Sequence, residues 1–249
     1  MIATAVGNEL AKTRRLRTGW VAAAMCLAAA VLALYTIVSS PGLSTQDVGA
    51  WNALLAGLSL GIPLVSPLLL AVLASRLVDV EHQGNGWLLQ STAGLTPGMV
   101  CRAKLAALGL VVTASTLGTV VLTLLLGRVL VGITAPVPLG RFAGFAGCVL
   151  VVNLAVLALH VLLSARVDNQ LVSLGVGALG SVVAVFSQGL PAAAAHLTPW
   201  GYYALAKAAD YQGGTFAASR VSYPSVLALG AVVGVLFTLV TARFDRQEA

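Results

Sequence analysis

Charge is what this sequence has least of: charged residues make up 9% of its 249 positions, and only eight residues are acidic. A soluble domain carries about 25% charged residues. An independent water-soluble fold is therefore excluded, and the 59% hydrophobic content points to a single membrane domain over residues 1–249. The few acids also avoid the apolar runs. Glu9, Asp47, Asp79, Glu81, Asp168, Asp210, Asp245 and Glu248 all fall in loops or near ends. Ion-coupled carriers need an ionisable group within the membrane. Only His160 is available for that role, so secondary transport is disfavoured.

Catalytic signatures are missing as well. No GxxxxGK[ST] phosphate loop, HExxH or CxxC occurs, and Gly84-Asn85-Gly86 is too short and lacks the lysine of a nucleotide loop. No catalytic residue and no metal ligand set is expected. The three cysteines, Cys26 and Cys148 in apolar runs and Cys101 in a loop, lack metal-type spacing and read as inert thiols. A chain so poor in chemistry takes its energy from elsewhere.

Long apolar runs are what the chain does have. A bilayer span needs about 20 predominantly apolar residues, and six runs qualify, near 19–39, 52–75, 105–127, 142–163, 171–190 and 225–242. The first is too long for a cleavable signal peptide, and Ser39-Ser40-Pro41 is a weak cleavage site. Basic residues divide unevenly between the two sides. Lys12, Arg14, Arg15, Arg17, Arg76, Arg102, Lys104, Arg166, Arg243 and Arg246 fall on one side, against Arg128, Arg141, Lys207 and Arg220 on the other. The positive-inside rule then places both termini in the cytoplasm. The net charge of +6 matches anionic membrane lipids as partners rather than nucleic acid.

The expected architecture is all-α. Residues 1–18 pattern as an amphipathic interfacial helix, with Ile2, Ala5, Val6 and Leu10 at helical spacing ahead of the basic residues; a disordered basic tail is the alternative. Pro63 and Pro67 predict a kink in the second span. Small residues every fourth position (Ser173, Gly177 and Ser181; Gly230 and Gly234) predict close helix packing. Residues 190–224 on the outer side predict a short interfacial or re-entrant helix, ended by a Gly213-Gly214 loop. Within the spans, Thr116, Asn153 and His160 are the candidate translocation-path residues, because polar atoms there face protein or water rather than lipid.

The most distinctive stretch is the cytoplasmic segment 76–104. Asp79, Glu81 and His82 precede Gly84 and Gly86, and Trp87, Leu88 and Leu89 follow as an apolar patch. A Trp flanked by leucines fits a partner's groove, while acidic side chains set orientation and docking rate. A plain solvated loop with an interfacial Trp is the competing interpretation.

These residues carry a family resemblance. Glu9 and Lys12 ahead of the first span, Glu81-x-x-x-Asn85-Gly86-Trp87-Leu88-Leu89, and Thr96-Pro97-x-x-x-x-Arg102-x-Lys104 resemble ABC-2-type transporter permeases. More narrowly, they resemble the small permeases of lantibiotic-immunity and bacitracin-type exporters, although Asn85-Gly86 stands where a Gly-Thr pair is common. The resemblance implies a connecting helix at the N-terminus, a coupling helix within 79–92 fitted to a cytoplasmic ATPase, and re-entrant helices within 190–210. It implies a second permease copy or a related permease chain, and ATP and Mg held by the ATPase, with no cofactor in this chain. The expected function is the membrane subunit of an ATP-driven exporter in a bacterial cell membrane. Its expected cargo is an amphiphilic peptide, antibiotic or lipid-like substrate, as in antibiotic resistance. A non-transporting sensor or scaffold and an ion-coupled carrier are the rivals.

Overall fold

The computed structural model describes residues 2–40 and 42–247, with Ile2 and Gln247 described in backbone only. Pro41 of the weak cleavage site, the Ile2 side chain of the amphipathic pattern and the terminal acid Glu248 thus lie outside what is described. The chain runs α1 Ile2–Arg15, α2 Thr18–Val38, α3 Val48–His82, α4 Gly86–Thr92, α5 Pro97–Val129, α6 Leu139–Arg166 and α7 Gln170–Phe186. The short helices α8 Ala192–Ala195 and α9 Tyr202–Leu205, the strands β1 Ala209–Gln212 and β2 Thr215–Ala218, and α10 Tyr223–Gln247 complete it. Six of these helices are long and apolar enough to cross a membrane. The all-α integral membrane architecture expected above is what forms, and α1 occupies the stretch read as an amphipathic helix.

α3 is the central helix. Its sequence is apolar on every side, as a helix surrounded by others must be, and Trp51, Leu54, Leu58, Leu70, Leu73 and Leu77 are fully or almost fully buried. α2 crosses it closely at Gly57, where an added Cβ would stand 2.5 Å from the Ala33 Cα. The Thr36 hydroxyl donates across the same crossing to the Ala53 carbonyl at 2.9 Å. α7 packs further along α3, where Gly177 of its small-residue stripe lies against Ala71 and the Pro67 carbonyl. The second stripe behaves differently: Gly230 meets Val151, but Gly234 faces open space.

Helical hydrogen bonding brackets both prolines of α3, which is one unbroken 35-residue helix. Pro63 has no N–H for the Ser59 carbonyl one turn back. Gln188 fills that vacancy, its Nε2 donating to Ser59 O at 3.1 Å. At 1.5 Å per residue, α3 is about 52 Å long, well beyond an apolar bilayer core of about 30 Å.

The segment after α7 departs from expectation. Two single-turn helices stand where one short interfacial or re-entrant helix was expected, and an antiparallel hairpin follows, with Tyr211 opposite Phe216. Gly213 and Gly214 both take positive φ, 57° and 88°, the backbone of a two-residue type I′ turn. Asn52 Nδ2 donates to the Phe216 carbonyl at 3.1 Å and fastens the hairpin to α3. α9 ends at Leu205, whose carbonyl accepts from Ser222 N at 2.9 Å.

Candidate functional site

α3 ends in a reversal. Gly84 takes φ 67° and Asn85 φ 58°, left-handed conformations that glycine and asparagine tolerate best. α4 then starts directly on the last turn of α3. A Cβ on Gly86 would lie 2.6 Å from the Glu81 Cα and 2.7 Å from its carboxylate, so this corner closes only around a glycine. From this start α4 projects Leu88 and Leu89 outward, 63% and 66% exposed, and turns Trp87 back. The Trp87 indole N–H points to His82 Nδ1 at 3.3 Å, and its ring packs against the core cluster.

Beneath α4 sits a group of four charges, Glu9, Glu81 and Lys104 buried and Lys12 half-buried at its edge. The Lys104 ammonium donates to Glu9 Oε2 at 2.8 Å, Glu81 Oε1 at 2.8 Å and the Leu77 carbonyl at 2.9 Å. Lys12 donates to Glu9 Oε1 at 2.7 Å and to Glu81 Oε1 at 2.5 Å. Lys104 is 0% exposed and Glu81 2%. Two cations balance two anions, which is what allows them to lie out of water. Desolvation pulls the pKa of Lys12 down, but its hydrogen bonds to Glu81 and Glu9, with their negative charge, outweigh it and hold the group above its ordinary 10.5. One side chain each from α3 and α5, and two from α1, thus meet at one point.

Two further ties extend from the same end of the bundle. His82 Nε2–H donates to the Ser164 carbonyl at 2.8 Å, linking α3 to the end of α6. Arg102 donates to Asp245 at 2.8 Å and to Thr241 at 3.1 Å, linking α5 to α10. Arg166 lies over the Phe244 ring at 4.6 Å. A cavity of about 410 Å³ opens between these ties, lined in part by His82, Trp87, Arg166 and Asp168. Asp79 is half-buried on the outside of the last α3 turns, bonded to Gln83.

The structure brings together two of the three candidate translocation-path residues. Asn153 Nδ2 donates to Thr116 Oγ1 at 2.9 Å, and Asn153 Oδ1 accepts from Tyr203 at 2.6 Å. Beside them is a cavity of about 20 Å³ lined by Ser66, Thr116, Thr119 and Asn153 among others, room for about one water. His160 lies apart from this group, at the contact of α6 with α7. Its Nδ1 faces Ser173 Oγ at 3.2 Å, while its Nε2 is buried without a partner. All three residues are buried.

Reasoning from sequence placed Glu9, Lys12 and Lys104 in a resembling motif but not together in a site, and it missed Tyr203 altogether. The available signal was scarcity: a lysine eight positions into a helix of 33 residues needs a carboxylate to face, and few carboxylates exist. Tyr203 gave no such signal, because a Tyr after the last outer Trp reads as interfacial.

A family model described as ABC-2 family transporter protein matches residues 5–185, a stretch running from α1 to the end of α7 that holds all four members of the charge group. No curated protein matches the chain. The chain belongs to the ABC-2 transporter family, as a multi-pass membrane permease subunit of an ABC transporter, a family that works with an ATPase subunit.

Proposed function

We propose that this permease docks its ATPase through Leu88 and Leu89 of α4, receives the ATPase's closing motion there, and passes it through the Glu81 group to α1 and α5 in order to export an amphiphilic substrate. The observation that carries this is the contrast across one corner: the exposed apolar tip of α4 stands on the end of α3, which buried ion pairs tie down. Exposed leucines supply what a partner's cleft buries. A base held by Lys104 and Lys12 moves as one body with the helices it bonds.

In this assignment Glu81 works inward. Its carboxylate binds two lysines of this chain, so its role is transmission, with Asp79 and the α4 tip facing the partner. Gly84 and Gly86 set the corner, and His82 and Trp87 connect it to α6. The side bearing α4 holds ten of the 14 basic residues, which supports a cytoplasmic location for it and for both termini. ATP and Mg belong to the partner. Asn153, Thr116 and Tyr203 form the polar point in the bundle interior that would face cargo once helices separate. Exposed apolar side chains along α2, α7 and α10 leave faces for lipid and for a second permease. A peptide antibiotic or lipid-like cargo, as in lantibiotic-immunity and bacitracin-type systems, fits so apolar a path.

The test is co-purification with the ATPase encoded alongside. Leu88→Glu with Leu89→Glu should abolish the complex while leaving the permease's own melting temperature unchanged. An intact complex would remove α4 as the docking element.

A further inference from the structure

The end of the bundle away from α4 holds a second assembly of cations. Four basic residues lie at that end: Arg128, Arg141, Lys207 and Arg220. Arg128 donates to the carbonyls of Ile133 and Ala135, and Lys207 pairs with Asp210 at 2.6 Å. The other two have no such compensation. Arg141 uses one guanidinium nitrogen on the neutral Asn52 Oδ1 at 2.8 Å. Among the described residues, no carboxylate lies within 4.0 Å of Arg141 or Arg220, and Arg220 makes no side-chain hydrogen bond.

Both arginines line one cavity of about 710 Å³, with Ser219, Ser222 and Tyr223. That volume is in the range of small-molecule sites. The cavity also borders the first residues of α10, a 25-residue helix whose N-terminal end carries partial positive charge. Two guanidinium groups and a positive helix end ask for the same thing, an anion with several acceptor oxygens. Guanidinium matches phosphate bidentately.

The surroundings narrow the source. From this cavity α10 continues with the exposed side chains of Tyr223 and Leu227, an apolar strip suited to acyl chain. We infer that this cavity binds the phosphate group of an anionic amphiphile, a phospholipid of that leaflet, with Arg220 and Arg141 on the phosphate and α10 along the chain. This site is separate from the ATPase-docking face and does not depend on the direction of transport.

The test uses the full chain in detergent and native mass spectrometry with added phosphatidylglycerol or phosphatidylcholine. The proposal predicts that phosphatidylglycerol is retained preferentially. Arg220→Gln, which breaks no hydrogen bond or ion pair among the described residues, should bind phosphatidylglycerol at this site roughly tenfold more weakly, for one lost charge-assisted contact. Its melting temperature without lipid should equal that of the original protein. Inorganic phosphate forms the second arm. If it raises the melting temperature of the original chain but not of Arg220→Gln, the ligand is the free anion; if only the lipid does so, the headgroup is the ligand. Equal retention of phosphatidylcholine with no effect of phosphate, or equal phosphatidylglycerol binding by Arg220→Gln, overturns the site.

Discussion

The Lys104 ammonium and the Glu81 carboxylate stand 2.8 Å apart, one on α5 and the other on the last turn of α3, both shut off from solvent. Their bond joins the helix that carries the α4 corner to the helix that follows it in the chain. Glu9 completes the junction from α1, so three helices share one electrostatic anchor.

Removing one member should be worse than removing a pair. Lys104→Met leaves Glu9 and Glu81 buried with Lys12 alone, a loss of about 3–5 kcal/mol. Pairing it with Glu81→Gln restores charge balance and should recover most of that stability. Thermal unfolding of both variants in detergent checks this, and a double variant no more stable than the single one would contradict it.

The anchor should be insensitive to pH near neutrality. Lys12 titrates above its ordinary 10.5. A group raised in the folded state contributes its stability in full below the unfolded pKa and loses it only as pH rises through the folded one. Hydrogen exchange of α1, corrected for its intrinsic base catalysis, should stay flat between about pH 6 and pH 9 and rise only in stronger alkali. A step near pH 7 would mean that Lys12 is not held by Glu9 and Glu81.

In the bundle interior, Tyr203→Phe should cost less than Asn153→Leu. The first removes one donor from Asn153. The second strands both the Tyr203 hydroxyl and Thr116 Oγ1, each buried, at about 1–3 kcal/mol for an unsatisfied group. If Asn153→Leu keeps stability and export intact, that contact is dispensable packing.

Much of the architecture was legible because bilayer-spanning helices announce themselves by length and apolarity, and each expected span falls largely within a helix of the structure. The prolines at positions 63 and 67 were legible as a disturbance of hydrogen bonding. Their resolution was not, since the donor to Ser59 comes from Gln188, 129 positions away. The hairpin over 209–218 hid in four-residue strands too short for a periodic signal, although the glycine pair at its tip was seen as a loop. At the candidate site, Glu81, Gly86 and the two leucines were legible as one segment, and the structure places them on the α3–α4 corner. The inward aim of Glu81 was not visible, because it depends on where α1 and α5 come to rest. Sequence distance conceals a contact spanning 95 positions, as between Glu9 and Lys104.

The most direct measurement separates docking from transmission. The complex of permease and ATPase is reconstituted with the charge-balanced double substitution, Glu81→Gln with Lys104→Met, and intact Leu88 and Leu89. ATP-driven export is then compared with that of the original complex. The account predicts normal assembly with export lost, since the tip still docks but no longer moves α1 and α5 with it. Export at the original rate from a fully assembled complex would contradict it.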